Sequence, residues 1–425
     1  MLGLQYIREN PEVVKQAIKE KGVDLNLDDL LRQDAIVTEM KRTMQSLDTE
    51  RNKLSKLVAG ASPDERPPLV ARSRELREQA DALKPSLREA EQRLQDYLWL
   101  VPNIPMESAP IGLTEADNTI VRSWGEPPKF SFTPRDHVEL LQINGWAELD
   151  RVTRVCGSRT YALCNELLRL ELALHFFVMD KLQERKFTVI SVPSLAYEQA
   201  FYGTGHFPTG RDNVYHLPKD NVYLSGTAEI VLTGLHSGEI LNESDLPILY
   251  AGFSPCFRRE SGSAGQDVRG IIRVHQFTKV EQYVICKNSI EESAAWHAKL
   301  LALAEEVVQD LELPYHVIEC CTGDMGVGKY RMNDIEVWVP TLGRYRETHS
   351  CSTLHEWQAR RANIRYRTSE GKVEFAHTLN NTGIATPRIL VPFLENHQLQ
   401  DGRVRLPKCL RSFFHGVEII GKGSA

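Results

Sequence analysis

The chain has no CxxC pair, no internal repeat, no low-complexity tract, and no apolar run near the ~20 residues of a membrane span. Its eight cysteines are scattered, with only Cys320 and Cys321 adjoining. That usage suits a reducing, cytoplasmic setting and supplies no disulfide framework. The first residues meet charge at Arg8 and Glu9 before any long apolar stretch, so they do not read as a secretory signal. Charge of one sign is also scarce: the net charge is only −6. This excludes little, because basic residues gathered locally still bind nucleic acid. At 425 residues, 42% of them hydrophobic, the chain is long enough for two or three domains with ample core.

Residues 30–98 differ from everything after them. Apolar positions run Val37, Met40, Met44, Leu47, Leu54 and Val58, with Arg51 in one slot. After a Pro-rich stretch at 59–68 they resume at Leu69, Leu76, Ala80, Leu83, Leu87, Ala90, Leu94 and Tyr97. Three- and four-residue steps are a heptad seam. They predict two helices of roughly 29 residues, an antiparallel coiled-coil hairpin about 45 Å long. Pro85 lies inside the second helix, where it removes a donor at a cost of ~3 kcal/mol and predicts a kink near Leu83. Cations line both helices, Arg42, Arg51, Lys53, Arg72 and Arg77 among them. Interspersed carboxylates allow a salt-laced surface, and an RNA backbone is an equally natural partner.

Segment 99–125 is Pro-rich and non-periodic, a linker. Beyond it, helical patterns cover 134–149, 169–185, 290–310 and 389–396. Strand patterns cover 187–192, 222–224, 249–259, 271–286, 315–319, 334–340, 345–353 and 373–379. Short turns between adjacent strands predict an antiparallel sheet with helices to one side, an α+β domain. The expected division is 1–110 and 111–425.

Residues 257–283, FRRESGSAGQDVRGIIRVHQFTKVEQY, carry the most chemistry. Arg258 and Glu260 close one apolar run; Arg273, Phe277 and Glu281 recur every fourth residue in the next. Side chains an even number apart share a strand face. Paired as a hairpin, the runs would present arginine forks for phosphate oxygens, an aromatic for a base, and carboxylates for amino groups. Thr227-Ala228-Glu229 sits at a strand-to-helix turn where a hydroxyl and a carboxylate can hold an ammonium. Glu347 and Ser350 offer oxygens to Mg²⁺, which prefers one or two carboxylates plus substrate phosphates. Asn380, Asn381, Thr382 and Arg388 read as a turn-to-helix run. Two look-alikes fail. GDMGVGKY at 323–330 puts Tyr330 where a phosphate-binding loop needs a small hydroxyl, in a strand–turn–strand context. His349, Cys351 and His355 lack the fourth ligand of structural zinc, and no zinc is expected.

Over essentially its whole length the chain resembles the bacterial-type seryl-tRNA synthetases, class II aminoacyl-tRNA synthetases. The likeness rests on DHVEL (136–140), GTGHFP (203–208), SGTAE (225–229), residues 255–283, GDMG (323–326), DIEVWVP (334–340), ETHSCSTLHEWQARR (347–361) and LNNTGIATPRILVPFLEN (379–396). It implies a class II antiparallel sheet flanked by helices, with the hairpin as a helical arm gripping the long variable arm of serine tRNA. The run ending at Pro193 resembles the first class II motif, which implies a homodimer. Carried over, Arg258 binds the ATP α-phosphate and the serine carboxylate. Arg259 belongs to the same ATP-binding run, and Glu260 with the backbone at Val274 takes the adenine edge. Phe277 and Arg388 sandwich the base, and Arg273 reaches the γ-phosphate. Glu347 and Ser350 carry Mg²⁺ with ATP, Thr348 and His349 completing that ATP-binding run. Thr227, Ala228, Glu229, Glu281 and Thr382 line the serine pocket. His349 and Thr353 depart from the common pattern, and so does the loop PTGRDN.

The implied reaction joins L-serine to serine tRNA through a seryl-adenylate, with Arg258, Glu347 and Arg388 as its catalytic set. Selenocysteine tRNA is a second acceptor that the resemblance raises and on which the sequence is silent. The absence of any sizeable insertion predicts no editing domain. A relative that loads a carrier protein would lack the arm. A catalytically dead RNA-binding relative would not keep Arg258, Arg273, Glu281, Glu347 and Arg388 together.

Overall fold

The structure is a computed structural model that describes residues 1–261 and 269–423. The Gly/Ser-rich loop at 262–268 lies outside the described residues. Two compact units divide the chain. One comprises Leu2–Lys19 and Val23–Val101; the other comprises Pro102–Ala425 together with Met1 and Glu20–Gly22.

In the first unit two short helices precede a long hairpin of α1 (Leu27–Gly60) and α2 (Arg66–Leu100). Asn26 caps α1 by accepting from the Asp28 N–H, and Asp28 and Asp29 add favourable charge to its first turn. The connection is tighter than the Pro-rich stretch suggested. Pro67 and Pro68 belong to the first turn of α2, where a missing N–H removes no helical bond. Gln33 bonds the Ala90 carbonyl, Lys41 pairs with Glu91 and Glu50 pairs with Arg72, so one strand of the hairpin rises as the other falls. At 1.5 Å per residue each helix is about 50 Å long. Val37, Leu76, Ala80, Ala90 and Leu94 of the heptad seam are buried. Helix α2 runs unbroken through Pro85. Proline removes one donor there, and the buried seam residues on either side hold the helix together.

The second unit is built on an eight-stranded sheet: β1 (Thr119–Trp124), β2 (Thr188–Ser191), β3 (Ile248–Phe257), β4 (Gln276–Cys286), β5 (Tyr315–Glu319), β6 (Arg331–Val339), β7 (Arg344–His355) and β8 (His377–Thr386). Their order is β1-β5-β6-β7-β8-β4-β3-β2, antiparallel throughout except at the β2–β3 edge. Helices α3 (Asn165–Glu184) and α5 (Ile290–Asp310) pack on one face over Val280, Val284, Val337, Leu379 and Ile384. On the other face α4 (Ala228–Leu235) and α6 (Glu356–Ala362) cover Tyr283 and Ile285. Helices therefore lie on both faces, where one side was expected. The near-continuous buried run at the end of β4 demands cover on both.

Two other expectations change. The run 373–379 ends early and a new strand, β8, carries Asn380, Asn381 and Thr382 in its middle instead of in a turn. Asparagine is a poor strand former. Here the amides have partners: Asn381 donates to the Leu300 carbonyl at 2.8 Å and Asn380 to Glu281 at 3.2 Å. Strand β4 begins only at Gln276, so Arg273 precedes it, and Arg258 and Glu260 follow β3. Face alternation thus accounts for Phe277 and Glu281 but not for the other three.

Two extra residues break the ladders beside one another. Between β6 and β7, Ile335 pairs with His349 and Glu336 with Glu347, leaving Thr348 over. Between β4 and β8, Val280 pairs with Ile384 and Glu281 with Thr382, leaving Gly383 over. Each is a β-bulge, which re-aims the side chains on either side of it. His349, 1% exposed, joins them: its Nε2 lies 3.2 Å from the Gly383 carbonyl and its Nδ1 2.8 Å from the Thr348 hydroxyl. A Cβ on Gly383 would sit 3.0 Å from the Val280 carbonyl oxygen and 3.2 Å from Val178, which is why glycine serves there.

Replacing Gly383 with alanine should destabilise the protein by about 1–3 kcal/mol through overpacking. Denaturant midpoints check this, and an unchanged midpoint would mean the bulge yields freely. Burial also pushes His175, His206, His297 and His349 down to about 4. An unfolded histidine titrates near 6.5, so between pH 6.5 and about 4 the unfolded chain binds more protons and stability falls as pH falls. Urea midpoints should drop between pH 7 and pH 5; equal midpoints would show these imidazoles are not held neutral.

Candidate active site

The two bulges decide which side chains share the site. Glu347 and Ser350 are three apart, and on an uninterrupted strand they would face opposite ways. With Thr348 as the extra residue they face the same way. Asp334 stands opposite Ser350 and Glu336 opposite Glu347, so all four lie on one face. On β8 the bulge at Gly383 likewise sets Thr382 beside Glu281 and Ala385 beside Lys279.

One half of the site is a small polar pocket at the start of α4. Thr227 caps that helix, its hydroxyl accepting from the Glu229 N–H at 3.3 Å. The same hydroxyl donates to Glu281 at 3.1 Å and accepts from the Lys279 ammonium at 3.0 Å. Lys279 and Glu281 form a close ion pair with both side chains buried. Asn380 donates to the other Glu281 oxygen, and its own carbonyl lies 3.4 Å from the Lys329 ammonium. Glu229 accepts from Gln358 at 2.8 Å. Burial pushes the Glu229 carboxyl up, but Lys329, His206, the Gln358 bond and Lys279 outweigh it and hold it below its usual value. Ala228 is buried beside it and packs against the sheet.

The other half is a slot and a cleft. The slot is lined by Val274, Phe277, Lys279, Thr386 and Arg388 and measures only about 70 Å³. Ligand pockets usually measure ~300–1,000 Å³. It is small because the Arg258 guanidinium lies over the Phe277 ring, 5.1 Å from its centroid. Arg273 pairs with Glu260 at 3.1 Å and Arg388 with Glu347 at 3.3 Å. Beside the slot opens a cleft of about 750 Å³, lined by Arg273, Glu336, Arg346, Glu347, Thr348 and Arg388. A second cleft of about 480 Å³ is lined by His206, Gly226, Arg258 and Glu260, Gly226 being the neighbour of Thr227.

The carboxylate face suits a hard cation. Asp334 is buried, with Oδ1 unpartnered among the described residues. Burial and the Glu347 charge push its carboxyl well up, and the same two causes raise Glu336. Mutual repulsion of this kind is what a divalent ion relieves. Among the described residues no group of three or more His, Cys, Asp or Glu side chains is placed to hold a metal ion by itself. An open oxygen face is what Mg²⁺ uses, since it keeps waters and substrate phosphates.

Most of the expected residues thus converge: Thr227, Glu229, Glu281 and Thr382 at the pocket, and Arg258, Glu260, Arg273, Val274, Phe277, Thr348 and Arg388 at the slot and clefts. Two do not. Arg259 is exposed and its backbone N–H bonds the Asn213 carbonyl. His349 faces the core with both ring nitrogens engaged in the bulges. Lys279, Asp334, Glu336 and Gln358 were missed. Lys279 stands between Phe277 and Glu281 on the same face, so alternation alone pointed to it. Asp334 and Glu336 depended on the Thr348 bulge, which leaves no mark in composition or period.

On the hairpin, the expected cations carry local partners: Arg42 with Glu39, Arg51 with Asp48, Arg72 with Glu50 and Glu75, Arg77 with Asp81. Lys53 is exposed. Exposed pairs of this kind contribute ~0–1 kcal/mol, little against a phosphate backbone.

Comparison with known proteins agrees with this geometry. Residues 215–397 match the tRNA synthetase class II core domain (G, H, P, S and T), and residues 1–105 match the seryl-tRNA synthetase N-terminal domain. A serine–tRNA ligase of Deinococcus radiodurans is 51% identical over 99% of this chain and 99% of its own. The crystal structure of seryl-tRNA synthetase from Pyrococcus horikoshii complexed with ATP is 40% identical and superposes with a TM-score of 0.92, covering 99% of each chain. The cytoplasmic serine–tRNA ligase of Naegleria fowleri in complex with AMP is 26% identical, with a TM-score of 0.87 and 99% of each chain covered. Matches to both family models and likeness along the whole chain place this protein in the seryl-tRNA synthetase family.

Proposed function

We propose that the protein activates L-serine with ATP and transfers the seryl group to serine tRNA. The observation that carries this reading is the position of Arg258. It reaches from the cleft beside the Thr227–Glu229 pocket to the face of Phe277, between an amino-acid site and a nucleotide slot. In the first step a serine carboxylate oxygen bonds the ATP α-phosphorus and the bond to the β-phosphate oxygen breaks, releasing pyrophosphate. Two anions must approach, and charge builds on the phosphoryl oxygens. Arg258 bridges the serine carboxylate and the α-phosphate, and Arg273 takes the γ-phosphate. These fixed charges, with positioning, lower the barrier. Phe277 and Arg388 hold the base between them. Glu347 and Ser350 would hold Mg²⁺ with ATP, and the ion would supply charge neutralisation to the phosphates. In the second step the 3′-hydroxyl of the terminal adenosine attacks the seryl carbonyl carbon and AMP leaves. No side-chain nucleophile takes part in either step.

The hairpin of α1 and α2 is the element that grips the long variable arm of the tRNA, so residues 1–110 serve tRNA binding and 111–425 the chemistry. A homodimer is supported by a stripe on α3, where Leu168, Leu172 and Phe176 recur every fourth residue and are 43%, 46% and 52% exposed. Such a stripe asks for an apolar partner. No helix among the described residues is long and apolar enough to cross a membrane. The cytoplasm, where serine tRNA and ATP are found, is the proposed location.

Arg258→Ala should lower serine-dependent ATP–pyrophosphate exchange by about 10²–10³, the range seen when one preorganised charge-stabilising donor is lost. Near-normal exchange would remove its assigned role. Deleting 30–98 should leave exchange intact and abolish charging of serine tRNA. Surviving charging would mean the hairpin is not the tRNA-binding element.

A further inference from the structure

The amino-acid pocket contains two buried carboxylates, Glu229 at 4% exposed and Glu281 at 1%. Serine brings one cation, its ammonium, and one hydroxyl. Either carboxylate would pair with the ammonium if both were equally available, and the hydroxyl would then go unread. Something must make the two different.

We propose that Lys279 does so as a positioning residue: by pairing with Glu281 it reserves that carboxylate for the serine hydroxyl and leaves Glu229 for the ammonium. The inference rests on the serine-pocket reading above. Lys279 lies on the same face of β4 as Glu281, two residues away, and its ammonium touches both Glu281 and the Thr227 hydroxyl. An ionised carboxylate has about four lone-pair sites. At Glu281 three are taken, by Asn380, Thr227 and Lys279. One acceptor site suits a single O–H; it does not suit the three donors of an ammonium. Thr382 stands opposite Glu281 in the ladder. Glu229 is arranged differently. Its bond from Gln358 comes from a neutral amide, and no ammonium or guanidinium of the described residues lies within ion-pair distance of it. Lys329 and Lys279 hold it ionised from farther away. A buried, ionised carboxylate with no cation in contact is where an incoming ammonium is most strongly drawn.

Lys279 therefore affects selectivity more than nucleotide binding, although it also lines the slot. Without it Glu281 is a buried charge with hydrogen-bond donors but no cation. It would take the ammonium or a proton, and the hydroxyl would lose its acceptor. Alanine, which keeps the ammonium and lacks the hydroxyl, would then be penalised less.

The experiment is ATP–pyrophosphate exchange by the full chain with Lys279→Met, Glu281→Gln and the double variant, using serine and alanine with ATP titrated in each case. For Lys279→Met the expected result is a loss of about 100-fold or more in kcat/KM for serine and less than about tenfold for alanine. The serine preference then narrows by about tenfold or more, with KM for ATP within about threefold of the parent. An unchanged serine preference would overturn the proposal, as would a defect confined to KM for ATP, which would assign Lys279 to the nucleotide. If Lys279→Met does not fold, the double variant removes both charges together. Its preference should match that of Glu281→Gln, and a preference equal to the parent's would overturn the proposal. A normal Glu281→Gln enzyme would instead overturn the serine-pocket reading on which the proposal rests.

Discussion

A β-strand offers one side chain in two to each face, so a site built on strands is limited to residues of one parity. This sheet escapes that limit twice, at adjacent strands. Thr348 and Gly383 each add one residue to a ladder, and the parity of everything beyond them is reversed. The oxygen set of Asp334, Glu336, Glu347 and Ser350 exists only because of the first. The second lets Leu379 and Ile384, five apart, both enter the core while Thr382 turns to Glu281. His349 links the two extra residues from the core side, so the bulges hold a fixed relation to one another. A departure from the family pattern thus has a structural place, under the sheet instead of on it.

Much of the architecture was legible because it rests on period. The hairpin seam follows heptads, and the helix at 290–310 and the strand at 315–319 match the structure at both ends. The shared face of Phe277 and Glu281 followed from alternation. The failures occur where periodicity has no hold. Asn380 and Asn381 looked like turn residues because nothing local shows that Glu281 and the Leu300 carbonyl wait for their amides. Arg258, Glu260 and Arg273 were placed on strands, yet they sit on the irregular backbone flanking β3 and β4, where Glu260 adopts a φ of 53°. Irregular backbone can bring both arginines toward one ligand in a way alternation cannot. The residue pattern singled out all three, but on strand faces that the structure does not give them.

The charge pairs of the site grade with depth, and the gradient separates what substrate replaces from what it meets. Arg388 and Glu347 are 34% and 47% exposed, and Arg273 and Glu260 are 27% and 14%. A pair as exposed as Arg388–Glu347 is worth little, so phosphates and a divalent ion could exchange with it at small cost. On the proposed reading a base would replace Arg258 on the Phe277 ring on similar terms, for a cation–π contact is worth ~0.5–2 kcal/mol. Lys279 and Glu281 are 8% and 1% exposed. Separating that pair would leave a buried charge alone, a cost of ~3–5 kcal/mol that a serine hydroxyl cannot offset. On the proposed reading the outer pairs are placeholders for ATP, whereas the inner pair is part of the wall against which serine is measured. Three ion pairs thus hold cations and carboxylates of the site close together. A site arranged this way also places its selectivity in the charges that do not move.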